Sequence, residues 1–278
     1  MNKLHVFTAI ILCFLTVNTF SQEVASVQTK PFVIGESVTM YSEILHEERV
    51  LNIYLPAGYE VGSSKNYPVI YLLDGSAAED FIHIAGLVQF GSFSWINMIP
   101  ETIVVGIANI DRKRDFTFPS NNELDRKEFP TTGCSAKFIQ FLEQELQPFI
   151  NSNYKVSEEK TIIGQSLGGL LAAEILHKKP ELFDNYIIVS PSVWWDDESI
   201  LKLEPAKIAK PTNIYVAVGT EGPTMETGAT KLYYKMWLAL KETESKVLYK
   251  FFEAQDHGDT LHLAVYDAFD KLFSEKKK

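Results

Sequence analysis

The chain has 278 residues, of which 46% are hydrophobic and 12% are aromatic, and 36 acidic residues outnumber 26 basic ones. These apolar fractions are too high for a disordered chain, and a chain of this length can fold without disulfides or metals. The formal net charge of −10 argues against duplex DNA or an anionic membrane surface as a partner, because both require a basic binding face. We therefore expect a globular protein with no nucleic-acid partner.

Residues 1–21 predict a secretory signal peptide. Lys3 precedes an apolar run over residues 6–17, and small and polar residues follow up to Ser21. The apolar run is shorter than a membrane-spanning helix requires. We expect cleavage before Gln22 and an exported protein, periplasmic or secreted, that is not inserted in the membrane. A buried N-terminal strand or helix is the alternative.

Residues 22–278 predict a single domain, because no internal repeat and no Ser/Gly-rich linker interrupts them. Cys134 is the one cysteine in this part of the sequence, so no internal disulfide is expected.

Strands alternate with helices along this domain. Residues 49–55 alternate apolar and polar side chains, and we expect residues 38–44 to pair with them in antiparallel orientation. Short apolar runs predict strands buried on both faces of a mostly parallel sheet, at 69–73, 103–107, 161–163, 186–189, 214–218 and 247–252. Helical patterns lie between them, at 135–149, 167–177, 230–240 and 261–273. The fold class is therefore α/β, with three layers, about eight strands and helices on both faces of the sheet.

The segment 161–169 predicts a catalytic nucleophile. A strand leads into Gly164-Gln165-Ser166-Leu167-Gly168, and a helix rich in Leu and Ala follows. Small residues at Gly164 and Gly168 let strand and helix approach around a strained turn that exposes the hydroxyl of Ser166. We expect Ser166 to be the nucleophile, and a structural turn serine is the alternative.

A serine nucleophile needs a base, which in this arrangement follows the nucleophile and the acid in chain order. His257 lies in the loop between the last strand and the last helix, so it is the expected base. His262 lies one turn into that helix and is the second candidate. His177 lies eleven residues after Ser166, about three helical turns away, so we expect it at a surface or helix end.

The carboxylate that orients the base is expected just past the penultimate strand. Glu221 occupies that place, and Glu226, five residues further on, is the alternative. Asp256 is adjacent to His257, and most loop conformations direct its carboxylate away from the neighbouring ring.

Two backbone N–H groups are expected to form an oxyanion hole. One belongs to Leu167, directly after the nucleophile. The other belongs to Ser76, because the turn at Asp74-Gly75 follows the strand at 69–73. A plain turn is the alternative interpretation of Asp74-Gly75.

Five motifs carry a family resemblance: YLLDG at 71–75, VGIANIDRKRD at 105–115, IIGQSLGG at 162–169, SPSVWW at 190–195 and DHG at 256–258. Over about residues 38–273 the chain resembles the esterase D-like branch of the α/β-hydrolases. That branch includes siderophore (ferric enterobactin) esterases, S-formylglutathione hydrolases, feruloyl and acetyl-xylan esterases and secreted mycolyltransferases, and the 105–115 segment is most similar to the siderophore hydrolases.

The resemblance implies the same nucleophile and base, Ser166 and His257, and the same oxyanion donors, Leu167 and Ser76. The sequence departs from the family at the acid, since related sequences often have an extra residue between the glycine and the glutamate. That departure leaves the role of Glu221 less firmly implied than those of Ser166 and His257.

A basic stretch in this acidic chain suggests how substrate is recognised. Arg112, Lys113 and Arg114 lie in the irregular segment 111–132, with Arg126 and Lys127 beyond them. Arg112 and Arg114 are expected to meet the charge of an anionic aromatic substrate such as a catecholate siderophore. A solvated charged loop is the alternative.

A second irregular segment, 192–211, contains Trp194 and Trp195, which are expected to stack on an aromatic substrate. Core tryptophans are the alternative, and a feruloyl group on a polysaccharide would fit the same side chains. No metal or other cofactor is expected, because no H-E-x-x-H motif or Cys/His ligand spacing occurs.

Together these features predict a serine carboxylic-ester hydrolase that works through an acyl-enzyme on a small-molecule or glycan-linked ester. A siderophore-type catecholate trilactone is the expected substrate. The alternatives are a carbohydrate esterase of the feruloyl or acetyl-xylan type, a secreted acyltransferase, and a binding protein that has kept the fold without turnover.

Overall fold

The computed structural model describes residues 28–274. Residues 28–33 belong to a short N-terminal unit and form no helix or strand there, whereas the unit from Ile34 onward contains all the elements below. The predicted signal peptide lies outside the described residues, so it and the domain limits 22–278 stay predictions. Within residues 28–274, no helix has both the length and the apolar character needed to cross a bilayer.

Eight strands form one sheet in the order β1-β2-β4-β3-β5-β6-β7-β8. The first pairs, β1 with β2 and β2 with β4, are antiparallel, and the remaining pairs are parallel. The strands are β1 (Glu36–Ser42), β2 (Glu47–Tyr54), β3 (Tyr67–Leu72), β4 (Ile103–Ile107), β5 (Val156–Gln165), β6 (Asn185–Val189), β7 (Asn213–Gly219) and β8 (Val247–Phe252).

Nine α-helices lie among the described residues, with a π-helical turn (Leu142–Leu146) and a 3₁₀ turn (Pro180–Leu182). The helices are α1 (Phe81–Gly91), α2 (Arg112–Phe116), α3 (Glu123–Glu128), α4 (Ser135–Phe141), α5 (Gln147–Asn153), α6 (Leu167–Lys178), α7 (Trp195–Lys202), α8 (Pro223–Leu240) and α9 (Thr260–Leu272).

The core consists of two apolar layers, one on each face of the sheet. Successive strand residues point to opposite faces. In β3, Val69 and Tyr71 join a buried cluster with α4, α6 and α8, whereas Ile70 and Leu72 join a second cluster with α1 and α9. The predicted three-layer α/β fold with about eight mostly parallel strands is therefore confirmed.

Some strands and helices begin earlier than the sequence pattern predicts. Each of the eight predicted strands is present, but β5 begins at Val156 because its polar first half extends it beyond the apolar run. Helix α8 begins at Pro223, seven residues before the predicted start, with proline in its first turn, where the missing N–H costs nothing. The two segments expected to be irregular contain the short helices α2, α3 and α7.

The carboxyl ends of the parallel strands meet at one edge of the sheet. Asp74 follows β3, Ser166 follows β5, Glu221 follows β7 and His257 follows β8. In open α/β sheets this edge is where ligands bind. The fold therefore places the residues predicted from separate motifs at a single edge.

The turn after β3 lies so close to the end of β4 that it gives a prediction about stability. A Cβ atom on Gly75 would lie 2.3 Å from the Cα of Gly106 and 2.5 Å from the backbone N of Ile107. Because both neighbours are backbone atoms, we expect Gly75→Ala to lower the free energy of unfolding by roughly 3 kcal/mol. Thermal and denaturant unfolding would measure this loss.

Gly86 provides the matched control in the middle of α1, where a Cβ atom would meet no neighbouring group within 4 Å. Gly86→Ala is expected to raise stability by about 0.5–1 kcal/mol, because alanine loses less backbone entropy in a helix. Equal stability of the Gly75→Ala variant and the wild type would contradict the packing described for this turn.

Candidate active site

Ser166 lies on the turn between β5 and α6 in a strained backbone conformation. Its φ of 59° and ψ of −119° are values that few side chains adopt. Such a conformation costs of order 1–3 kcal/mol and persists where the surroundings enforce it. A Cβ atom on Gly164 would lie 2.4 Å from the carbonyl oxygen of Gly168, so the turn needs glycine there. This is the strand, turn and helix arrangement that exposes a serine hydroxyl.

Ser166 lines a pocket of about 660 Å³ at the edge of the sheet where the parallel strands end. The pocket is lined by Ser166, Ser192, Trp194, Thr220, Glu221, Met225, Asp256 and His257. The three side chains predicted to be nucleophile, acid and base therefore share one pocket.

His257 is oriented by Glu221. Its Nδ1 lies 2.5 Å from Oε2 of Glu221, which leaves Nε2 free of this contact. The imidazole is half exposed, whereas the glutamate side chain is 2% exposed. The buried carboxylate of Glu221 thus contacts the half-exposed imidazole of His257.

The other carboxylate oxygen of Glu221 accepts two hydrogen bonds from residues at the ends of β6 and β7. Oε1 accepts hydrogen bonds from the hydroxyl of Ser190 at 2.5 Å and from the backbone N–H of Gly219 at 2.9 Å. Burial opposes ionisation of Glu221, but these bonds and the one with His257 outweigh it and lower the pKa of the carboxyl group. The hydrogen bond with Glu221 in turn raises the pKa of His257, although partial burial acts in the opposite direction.

The alternative carboxylates contact backbone rather than the imidazole. Oε1 of Glu226 accepts the N–H groups of Glu221 and Gly222, at 3.0 and 2.9 Å. Oδ1 of Asp256 accepts the N–H of Gly258 at 2.8 Å. Among the three carboxylates weighed from the sequence, the structure brings Glu221 to His257 and uses the other two to brace the adjoining loops.

The raised pKa of His257 gives a prediction about pH. A general base must be neutral, so activity is expected to fall as the pH drops through a value above about 6.5, the ordinary histidine pKa. In Glu221→Gln the supporting charge is lost, so the acidic limb moves to lower pH and the plateau kcat falls by about tenfold or more. Initial rates on an ester from about pH 5 to about pH 9 measure both changes.

Glu226→Gln is the control, because a glutamine retains an oxygen that can accept the two N–H groups. We expect its pH profile to match that of the wild type. An unmoved acidic limb in Glu221→Gln, or a shift in Glu226→Gln instead, would contradict the assignment of the acid.

The two predicted oxyanion donors lie in different environments. Leu167 is the first residue of α6, where the N–H has no partner within the helix. The N–H of Ser76 points to a carboxylate oxygen of Glu79 at 3.3 Å, a long hydrogen bond in an exposed position. A substrate oxyanion at Ser76 would therefore displace Glu79.

The two arginines predicted to bind substrate have carboxylate partners within the protein. Arg112 donates two hydrogen bonds to Asp74, and its side chain is about a third exposed. Arg114 donates to Asp115 at 2.7 Å and with two nitrogens to Glu47 on β2. Arg114 therefore fastens α2 to β2, which corrects the expectation that it meets the substrate's charge.

The two tryptophans separate. Trp194 is partly exposed and lines the pocket, as a stacking residue would. Trp195 is completely buried, and its indole N–H donates to the carbonyl of Phe118 at 2.8 Å. The expectation that Trp195 stacks on substrate is therefore wrong, because the side chain belongs to the core.

The remaining histidines considered from the sequence lie in other surroundings. His177 is buried at the end of α6, not at the surface, with Nδ1 2.8 Å from the carbonyl of Ala173, and burial lowers its pKa. His262 packs against His83 with ring centroids 3.7 Å apart and the rings tilted by 35°, and burial lowers its pKa too. Neither contacts Glu221 or Ser166.

Three polar side chains at this edge were not singled out from the sequence. Ser190 holds Glu221, and Ser192 lies with its hydroxyl oxygen 3.4 Å from that of Ser166 while its N–H donates to the carbonyl of Ser166. Gln165 donates from Nε2 to the carbonyl of His257 at 2.7 Å. The signal for Ser190 and Ser192 was their position directly after β6, at the same edge as the nucleophile.

Comparisons with known proteins identify the family of the chain. A family model described as "Putative esterase" matches residues 42–275. The ferri-bacillibactin esterase BesA of Bacillus subtilis is 30% identical over 253 residues, which cover 83% of this chain and 87% of that protein.

Two solved structures are similar over most of the chain. An IroE-like serine hydrolase from Shewanella oneidensis has a TM-score of 0.76 and 30% identity, covering 86% of this chain and 80% of that one. The BES protein from Bacillus cereus has a TM-score of 0.77 and 27% identity, covering 88% and 97%. The fold is thus that of the α/β-hydrolases. Because the family model matches most of the sequence, the chain belongs to this esterase family and is a carboxylic ester hydrolase.

Proposed function

We propose that the protein cleaves siderophore-type esters, catecholate trilactones in particular, through an acyl-enzyme on Ser166. The observation that carries this proposal is the Glu221–His257 pair, joined at 2.5 Å, in the same pocket as a serine held at φ 59°. A buried carboxylate, an exposed imidazole and a strained serine form the set that activates a hydroxyl nucleophile.

In the first step, the Oγ of Ser166 attacks the ester carbonyl carbon while Nε2 of His257 accepts the hydroxyl proton. Negative charge develops on the carbonyl oxygen, and the N–H groups of Leu167 and Ser76 stabilise it. The C–O bond to the leaving alcohol then breaks, and His257 returns the proton to that alcohol. Glu221 stabilises the imidazolium and fixes the tautomer in which Nδ1 carries a proton.

In the second step, water replaces the alcohol. Nε2 of His257 accepts a proton from the water as its oxygen attacks the acyl carbon, and the same oxyanion donors act again. The bond between Oγ of Ser166 and the acyl carbon then breaks, His257 returns the proton to this oxygen, and the carboxylic acid leaves. The net reaction consumes one water and needs no redox partner.

Three observations support a catecholate ester as substrate. Trp194 and Met225 give the pocket an aromatic and a thioether surface, which suits a flat aromatic ring such as a catechol. The Bacillus subtilis relative is named as a ferri-bacillibactin esterase, and its similarity covers most of both chains. The resemblance of the 105–115 segment to the siderophore hydrolases favours the same class.

A substrate panel tests this specificity. Purified protein is given a catecholate trilactone, free and ferric, and a feruloylated xylan, each beside Ser166→Ala, and products are followed by mass spectrometry. We expect the trilactone to gain one water, with a kcat/KM at least about tenfold above that for the xylan. A preference for the feruloylated xylan would make the protein a carbohydrate esterase, and transfer to an added alcohol would make it an acyltransferase.

We also propose that the protein acts outside the cytoplasm, on the basis of the apolar and small-residue pattern over residues 1–21. Cell fractionation and N-terminal sequencing test this proposal. A mature chain that begins at Gln22 in the periplasm or medium is the expected result, and a cytoplasmic chain that retains Met1 would overturn it.

A further inference from the structure

Arg112 binds both oxygens of the carboxylate at the start of the oxyanion turn. Its Nε donates to Oδ1 of Asp74 at 2.6 Å, and its Nη2 donates to Oδ2 at 3.0 Å. Asp74 has a positive φ of 55° and comes immediately before Gly75 and Ser76. The planar guanidinium fork therefore fixes the orientation of the side chain from which this turn begins.

The same guanidinium also holds the segment that carries the nucleophile. Nη2 of Arg112 donates to the backbone carbonyl of Gln165 at 3.1 Å, and Gln165 directly precedes Ser166. A single side chain thus connects the end of β3 with the end of β5. The arginine is partly buried by these contacts rather than extended into solvent.

Gln165 extends this connection to the base. Its side-chain Nε2 donates to the carbonyl of His257 at 2.7 Å. His257 lies in a loop whose residues 257–259 are all exposed, and the imidazole itself is half exposed. Glu221 fixes the ring of His257, and Gln165 fixes the backbone of the same residue.

We propose that Arg112 and Gln165 are positioning residues that hold the oxyanion turn, the nucleophile and the base in one geometry. This proposal rests on the proposed function, since it assigns how the catalytic groups of that mechanism are kept in place. It also gives Arg112 a different task from substrate binding, because its fork is directed at Asp74 and Gln165.

The physical reason is the narrow tolerance of this chemistry. Oxyanion donors must lie within about 2.7–3.1 Å of the developing charge, and a displacement of about 1 Å costs about 100-fold in rate. Other contacts keep the turn folded without Arg112, since the Gly75 N–H donates to Ile107 and the Gly75 carbonyl accepts from Asn52. Loss of Arg112 should therefore disturb geometry without unfolding the protein.

Arg112→Lys tests the proposal, because lysine keeps the positive charge but cannot reproduce the fork. Kinetics are measured on a neutral p-nitrophenyl acetate and on an anionic catecholate ester, with Arg126→Lys, at an exposed position of α3, as the matched control. We expect kcat to fall about 10- to 100-fold on both esters in Arg112→Lys, with KM changed less than about twofold. Arg126→Lys should match the wild type.

Arg112→Met separates charge from geometry. The positive charge of Arg112 lowers the pKa of His257, so removing it should move the acidic limb of the pH profile to higher pH. Arg112→Lys should leave that limb in place while kcat still falls. Full rescue of kcat by lysine would overturn the positioning role.

Gln165→Met gives an independent variant of similar size that lacks the donor to the His257 carbonyl. We expect kcat to fall about tenfold on both esters, with thermal unfolding close to that of the wild type. Wild-type kcat in Gln165→Met would overturn the part assigned to Gln165.

If Arg112 instead bound the substrate, the kinetics of Arg112→Lys would differ between the two esters. KM would rise on the anionic ester alone, and the neutral ester would be hydrolysed at the wild-type rate; that outcome overturns the positioning role while the proposed function stands. An absence of turnover by the wild type on both esters would overturn the proposed function itself. The two failures are therefore distinguishable.

Discussion

Replacing Ser166 with alanine is expected to lower kcat for ester hydrolysis by at least about 10⁴-fold. No other group replaces the attacking oxygen, so only binding and oxyanion stabilisation would remain. The variant should fold like the wild type, because alanine occupies the same strained turn with one atom fewer. Steady-state rates, with circular dichroism and thermal unfolding as the check on folding, measure this result.

Ser192→Ala is the matched control in the same pocket. Its hydroxyl oxygen lies 3.4 Å from that of Ser166, yet Ser192 lies after β6 and not on the turn that precedes α6. We expect kcat to fall by less than about tenfold, the effect of one lost hydrogen bond. Loss of activity in Ser192→Ala with retention in Ser166→Ala would transfer the nucleophile to Ser192.

Replacing His257 with alanine is expected to lower kcat by about 10³-fold. Without the imidazole, nothing accepts the proton of Ser166 during attack or returns it to the leaving alcohol. Buried Glu221 would also lose one of its hydrogen-bond partners, so a small loss of stability should accompany the loss of rate. Rates at a pH where the wild type is fully active separate this effect from titration.

His262→Ala is the control for His257, because it removes the other histidine near the start of α9. Its ring packs against that of His83 at a tilt, and the hydrogen bonds of the Glu221 carboxylate go to His257, Ser190 and Gly219. We expect reduced stability but a kcat within about threefold of the wild type. A larger kcat loss in His262→Ala than in His257→Ala would contradict the assignment of the base.

Much of the fold could be predicted because the strands are continuous apolar runs. Residues 103–107 and 247–252 match β4 and β8 at both ends. Helix α1 was missed because its sequence, FIHIAGLVQFG, is apolar on nearly every side and has no polar stripe to show a helical period. Helix α1 is half-buried, but the apolar side chains of Ile82 and Phe90 lie on its exposed face, so polar residues do not mark that face.

The three residues Ser166, Glu221 and His257 could be predicted because each follows a predicted strand. The order of Ser166, Glu221 and His257 follows from the order of the strands, whose carboxyl ends share one edge. The tasks of Arg114 and Trp195 could not be predicted, because they depend on partners distant in sequence. Glu47 lies 67 residues from Arg114, and Phe118 lies 77 residues from Trp195. The charge of Arg114 and the aromatic ring of Trp195 are visible in the sequence, whereas their partners are visible only in the folded structure.

Activation of the Ser166 hydroxyl by His257 underlies the whole mechanism. A fluorophosphonate that labels activated serines tests it, with the modified residue identified by peptide mass spectrometry in the wild type and in His257→Ala. We predict a single label on Ser166 in the wild type and strongly slowed labelling in His257→Ala. A label on Ser192, or equally fast labelling of Ser166 without His257, would contradict this mechanism.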